Sequence, residues 1–259
     1  MSDLPVITVL IANCNYEEYL AQAISSAKNQ SYPNIHICVI DDSSDNIEEV
    51  QRIVTEELYH EDEPDQEMVD ENVEIWKTPN VTTIYLSGGP YGPSTSRNFG
   101  IHYTKEFTHA YLVLDADDEA YYRKAELLFN TMQESERIGV VYADYHIYNT
   151  VTGVKRNEFK EPYSFARLRQ ECIVHSGSLI RKTALEDVLE ETGFYDSTLR
   201  VAEDWDLWLR ISEKYMIAHV PEFLSLVRIQ PKNSTDTVRQ DIWNQCWQRV
   251  RDKAISRSQ

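Results

Sequence analysis

Two spacings of apolar residues alternate along the first half of the chain. Val6 to Ala12, His36 to Ile40, Val81 to Leu86 and Tyr111 to Leu114 are short, mostly apolar runs rich in β-branched residues, the pattern of strands buried on both faces. Between the first two runs, Tyr16, Tyr19, Leu20, Ala23, Ile24 and Ala27 recur every three or four positions and define one face of a helix. Ile47 to Tyr59 and Ser94 to Lys105 continue as helices. Ser31-Tyr-Pro-Asn34 and Ser87-Gly-Gly-Pro-Tyr-Gly-Pro-Ser94 supply turns. Strand, helix and strand in repeated succession predict an α/β fold, a mostly parallel sheet flanked by helices and joined by right-handed crossovers.

The second half is less regular. Arg123 to Glu134 is amphipathic, Gly139 to Tyr142 reads as a strand, and Tyr145 to Lys155 as a ribbon turning near Asn149-Thr-Val-Thr-Gly153. A helix near Tyr163 to Gln170, a short strand at Ser178 to Ile180 and a helix beginning near Glu203 follow. Phe223 to Ile229 is apolar again, and Val238 to Val250 closes the chain as a helix carrying Trp243 and Trp247. No internal repeat or low-complexity tract interrupts the pattern. A chain of 259 residues patterned this way is expected to form one domain with an elaborated C-terminal part.

Charge narrows the range of partners. Lys and Arg number 25 against 43 Asp and Glu, a formal net charge of −18. That balance opposes sequence-independent binding to nucleic acid or to anionic membranes. Between His60 and Glu74 stand eight acids and no Lys or Arg, which predicts a solvated, mobile insertion; a docking segment for a basic partner is the alternative. Cys14, Cys38, Cys172 and Cys246 form no C-x-x-C pair and read as reduced, buried thiols. The first residues carry no leader pattern, and no segment approaches the ~20 apolar residues of a membrane span. A cytoplasmic protein without integral membrane association is expected.

Candidate chemistry sits at the strand ends. Tyr111-Leu-Val-Leu-Asp-Ala-Asp-Asp-Glu119 runs from a strand straight into Asp115, Asp117 and Asp118. Carboxylates crowded at the carboxyl end of a parallel strand suit a hard divalent cation such as Mg²⁺ or Mn²⁺; an acidic turn capping the next helix is the alternative. Asp41 and Asp42 end the second strand in the same way, as ligand contacts or as turn residues. Arg97, one turn inside a helix that follows a glycine-rich loop, is placed to meet a diphosphate or to form a surface ion pair. In Ala202-Glu-Asp-Trp-Asp-Leu-Trp-Leu-Arg210, Asp204 shares a helical face with Leu207, Trp208 and Ile211, so it could look into a cleft as a base or act as a first-turn acid. His175 is a candidate substrate contact or a structural histidine.

Taken in order, Asn13-Cys-Asn-Tyr-Glu-Glu-Tyr-Leu20, Asn29-Gln-Ser-Tyr-Pro-Asn34, Val39-Ile-Asp-Asp-Ser43, Ser96-Arg-Asn-Phe-Gly-Ile101, Leu114-Asp-Ala-Asp-Asp118 and Glu203-Asp-Trp-Asp-Leu-Trp-Leu-Arg210 resemble the family-2 glycosyltransferases of GT-A fold. The resemblance runs from about Val6 to Asn233. It implies an inverting transferase that moves a sugar from a nucleoside diphosphate donor, a UDP-sugar, to a hydroxyl acceptor on a glycan or glycoconjugate, with Mn²⁺ or Mg²⁺ as cofactor. By the same resemblance the single domain over 1–259 divides into a nucleotide-binding half (1–118, with the acidic insertion 60–74), an acceptor-binding half (119–235) and a C-terminal helix (236–259). Asp41, Asp42, Arg97 and Asp115 then contact the nucleotide, Asp115 and Asp117 hold the metal, Asp204 is the catalytic base, and His175, Glu203 and Trp205 shape the acceptor pocket. Two residues depart from the family pattern. Cys14 stands where a ring beside the nucleobase is common, and Gln230 where a histidine near the metal is common. A non-catalytic sugar-nucleotide-binding protein and an aspartate-based phosphatase are the rival functions.

Overall fold

The computed structural model describes residues 4–60, 62–231, 233 and 237–257. The leader-free reading of residues 1–3, Glu61 of the acidic segment, and the two ends of the expected 236–259 helix lie outside the described residues. The chain divides into two compact units, 1–126 and 127–259.

In the first unit, β1 (Ile7–Asn13), β2 (Ile35–Asp42), β5 (Val81–Leu86) and β6 (Ala110–Asp115) run parallel in the order β5-β2-β1-β6. Their apolar runs are buried almost throughout, as expected of strands covered on both faces. Crossovers are made by α1 (Glu17–Lys28), α2 (Ile47–Leu58) and α3 (Pro93–Thr104). α1 turns Leu20, Ala23, Ile24 and Ala27 inward, the face read from spacing. α2 starts on an Asn46 cap whose side-chain oxygen accepts from the Glu49 amide, and buries Val50, Ile53 and Val54. α3 lies so close to the sheet that a Cβ on Gly100 would sit 2.8 Å from side-chain carbons of Ile40 and Leu10.

The acidic segment is ordered. Asp65–Asp70 forms β3 and Val73–Thr78 forms β4, an antiparallel hairpin closed at Glu71-Asn72 that extends the sheet as β3-β4-β5. This corrects the expectation of a mobile insertion. β4 anchors the hairpin by burying Val73 and Ile75, whereas every residue of β3 is exposed. The charges that looked like disorder are the solvated face of an edge strand, where they discourage pairing with another chain.

The second unit is built on β8 (Ile138–Asn149), preceded in the chain by β7 (Glu119–Ala120) and α4 (Lys124–Gln133). β9 (Lys155–Glu158) folds back on β8 as the expected ribbon. β10 (Leu179–Arg181) pairs with β8 antiparallel, and β11 (Met216–Ile229) pairs with it in parallel. β11 is twice as long as the apolar run at 223–229. Pro221 falls at a register shift between Val220 and Phe223, and this break hid the first half of the strand. The helix expected at 163–170 is a single turn, α5 (Phe165–Leu168), followed by α6 (Lys182–Glu186), α7 (Glu203–Ser212) and α8 (Gln240–Arg257). Lys253 of α8 fixes this end of the unit: its Nζ lies 2.9 Å from Glu190, 2.9 Å from Asp196 and 3.0 Å from Asp206. Among the described residues, no helix is long and apolar enough to cross a membrane.

Candidate active site

In the first unit the parallel strands deliver their last residues to one edge: Asn13 pairs with Asp41, Asp42 with Leu86, and Ala12 with Asp115. Asp41 is fully buried and accepts from Asn13 Nδ2 at 2.7 Å, Ser44 Oγ at 2.6 Å and the Ser44 amide at 3.1 Å. Burial raises its pKa against the pull of those bonds. Asp42 accepts from the amides of Tyr91 and Gly92 at 2.9 and 2.7 Å, which ties the glycine-rich loop to the end of β2. Gly92 can take the φ of +94° needed immediately before Pro93 starts α3. Both aspartates thus organise loops at this edge. Cys14, beside them, is pushed up to about 11 by burial and then by Asp42 and Asp41, so its thiol stays protonated at neutral pH.

At the end of β6 the three acids differ. The Asp115 side chain is 34% exposed and accepts from Arg97 Nη2 at 2.7 Å, whereas Asp117 and Asp118 are nearly buried. Arg97 itself is buried, which rules out the surface ion pair. One group was missed in the sequence. Lys124, on the first turn of α4, is fully enclosed; burial lowers its pKa to about 8, with Asp118 and then Asp115 working the other way. A signal existed: a lysine opening a helix opposes the helix dipole and calls for nearby carboxylates. Three carboxylates against the Arg97 and Lys124 cations leave a formal surplus of one negative charge. Hard oxygen donors with a partly open Asp115 suit a divalent Mn²⁺ or Mg²⁺ ion, which Asp115 and Asp117 would hold.

The second unit holds a cavity of about 640 Å³ whose wall includes Asp204, Trp205, His175, Tyr145, Lys160 and Cys172, with Trp243, Trp247 and Arg251 of α8. Asp204, partly exposed, lies on the first turn of α7, with one oxygen 2.7 Å from the Trp205 amide and the other 4.0 Å from the Cys172 sulfur. Burial, reinforced by Asp204, raises the Cys172 pKa far enough that the group beside the carboxylate is a neutral S–H. Ala202 precedes this turn in the left-handed region (φ 62°, ψ 22°), a strained position for a residue with a Cβ. His175 accepts from the Gly177 amide at 3.0 Å through Nδ1, and its ring packs 4.2 Å from that of Tyr145. Trp205 is buried and donates from Nε1 to the Leu168 carbonyl at 2.6 Å. Glu203 is buried and is not part of this wall, and Gln230 is buried with its amide donating to Asn233.

A second acidic triplet, Glu190, Asp196 and Asp206, has carboxylate oxygens close enough together to hold a cation. Its centre belongs to the Lys253 ammonium. Arg210 adds a 2.8 Å bond to Asp206. Burial alone would raise the Asp196 carboxyl, but bonds from Thr198 and Lys253 hold it down at about 2. These are the contacts of a structural ion-pair network.

Residues 8–189 match the family model for glycosyl transferase family 2. An uncharacterized glycosyltransferase of Methanocaldococcus jannaschii is 22% identical over 240 residues, 90% of this chain and 73% of that protein. An uncharacterized glycosyltransferase of Rickettsia bellii is 24% identical over 88% of this chain, which spans only 29% of that relative. Among solved structures, S. aureus TarS 1-349 in complex with UDP-GlcNAc superposes with a TM-score of 0.67 at 16% identity, covering 96% of this chain and 66% of that one. The mannosyltransferase PcManGT from Pyrobaculum calidifontis, in complex with GDP-Man and Mn²⁺, superposes with a TM-score of 0.60 at 15% identity over 90% of this chain and 59% of that one. The likeness extends the α/β reading to the GT-A type, and the match to residues 8–189 spans Asp41, Asp42, Arg97 and the acids of 115–118 but stops short of Asp204. The chain belongs to glycosyl transferase family 2.

Proposed function

We propose that this chain is an inverting transferase that moves a sugar from a nucleoside diphosphate donor, a UDP-sugar, to a hydroxyl of a glycan or glycoconjugate. The observation that carries the reading is the 640 Å³ cavity in which a partly exposed carboxylate, Asp204, stands among aromatic side chains. Aromatic faces suit the apolar side of a sugar ring, and a carboxylate among them is placed to take the proton of a bound hydroxyl. The UDP and UDP-GlcNAc complexes of TarS support a uridine nucleotide donor. The GDP-Man and Mn²⁺ complex of the Pyrobaculum enzyme supports a divalent metal and leaves a guanosine nucleotide as the competing donor.

In this reading the first unit binds the donor. Asp41 and Asp42 fix the loops around the nucleotide, and Arg97 shares its guanidinium between Asp115 and the diphosphate. Asp115 and Asp117 would hold a Mn²⁺ or Mg²⁺ ion, which would supply positive charge for the departing diphosphate. The acceptor oxygen attacks the anomeric carbon as the bond to the diphosphate breaks, in one displacement with inversion. Its proton passes to Asp204, which the Trp205 amide orients. The donor base is checked by metal-dependent thermal shift across nucleoside diphosphate sugars, with UDP-sugars expected to give the largest rise. For the base, Asp204→Asn should lower kcat about 10²- to 10⁴-fold while leaving UDP affinity unchanged. Transfer that survives this substitution would remove Asp204 from the role.

A further inference from the structure

The sequence places the aromatic contacts of the acceptor on Trp205, but in the structure that ring is already used. Its N–H is held by Leu168 and the Arg251 guanidinium lies 5.5 Å from its ring centre. Tyr145 is likewise packed on His175. Trp243 and Trp247 are different. They stand one turn apart on α8 with ring centres 5.6 Å apart and planes at 50°, both partly exposed and both on the cavity wall. On α8 they continue the stripe of Val250 and Ala254, whose lower part is buried in the unit. The upper part of the same stripe opens onto the cavity that contains Asp204.

We infer that α8 completes the acceptor subsite and that Trp243 and Trp247 form its saccharide platform, which makes them specificity-determining residues. Two indoles held on one rigid helical face present a large apolar area at little cost in side-chain freedom, a good surface for the C–H face of a pyranose ring. The helix itself is kept in place by Lys253, which contacts Asp206 of α7, the helix that carries Asp204, and Glu190 and Asp196 of the segment that leads into it. Arg251, one turn beyond Trp247, donates to the Gln170 carbonyl at 3.3 Å and keeps further N–H groups for acceptor oxygens. α8 lies beyond residue 189, outside the stretch that matches the family model.

The inference rests on the proposed transfer function, and its test separates the two. Saturation-transfer NMR of the full chain with the methyl glycosides of glucose, galactose, mannose and N-acetylglucosamine should show saturated ring protons on at least one of them. The signal should persist in excess UDP and Mn²⁺. It should fall at least fivefold in Trp243→Ala and in Trp247→Ala and largely remain in Trp247→Phe, which keeps a ring; circular dichroism checks that each variant is folded. Absence of saturation on every glycoside, displacement by UDP, or equal signals in folded alanine variants would overturn the platform. A platform that behaves as expected beside an Asp204→Asn variant that still transfers sugar would instead overturn the base and leave the subsite standing.

Discussion

Two triplets of carboxylates, one in each unit, look alike in composition and differ in what surrounds them. Glu190, Asp196 and Asp206 close around Lys253, with Arg210 and Arg257 adding further positive charge. At the end of β6, Arg97 bonds Asp115, the enclosed Lys124 interacts with Asp118 and Asp115, and Asp115 still reaches solvent. The first triplet is matched by three cations, with the Lys253 ammonium at its centre. The second keeps a negative surplus at a strand edge where α/β sheets gather ligands. Proximity of acids alone therefore does not mark a metal site; what decides is whether a resident cation fills the centre.

The sharpest way to break this contrast is Lys253→Met. Removing the ammonium leaves Asp196 and Asp206 buried with repulsion in place of attraction, and a loss of about 3–5 kcal/mol in denaturant unfolding is expected. A loss below about 1 kcal/mol would mean that the triplet does not depend on Lys253.

Acid should reach the two units in turn. Burial lowers His36, in β2, from 6.5 to about 4, so its folded form resists protonation. The stability this gives is fully present above pH 6.5 and is lost as pH falls toward 4, by up to roughly 3 kcal/mol. Asp196 is depressed from 3.8 to about 2, so the stability it contributes is present above pH 3.8 and lost only as pH falls toward 2, roughly 2 kcal/mol. Hydrogen exchange should therefore accelerate in β2 before it does in α8 as pH drops, and the reverse order would contradict these assignments. The smallest effect is expected at the rim: Glu190→Gln, on a side chain 31% exposed, should cost about 1 kcal/mol or less by thermal unfolding.

How much of this was legible depended on whether a residue's role is local. The parallel strands and their terminal acids were readable because burial on both faces leaves an unbroken apolar run that ends where solvent begins, as in Tyr111 to Asp115. The β3–β4 hairpin was not, because a strand exposed along its whole length carries no alternation and its acids imitate disorder. Lys124 was hidden by its neighbour: Arg123 is exposed and Lys124 buried, and two adjacent basic residues at a helix start look alike until the acids they face are known. Asp204 was found through its helical face, yet most of the cavity around it comes from segments far away in the chain, Tyr145, Lys160 and α8, which no local spacing connects. The Lys253 network has the same origin, since Glu190, Asp196, Asp206 and Lys253 meet only after folding.

In the proposed transferase the open triplet of the first unit, and not the closed one of the second, carries the metal and the nucleotide. Calorimetry of Mn²⁺ and UDP binding tests it directly. Each ligand should tighten the other's binding in the native chain, Asp117→Ala should abolish this coupling, and Glu190→Gln should leave it intact. Coupling that survives Asp117→Ala, or that disappears with Glu190→Gln, would contradict it.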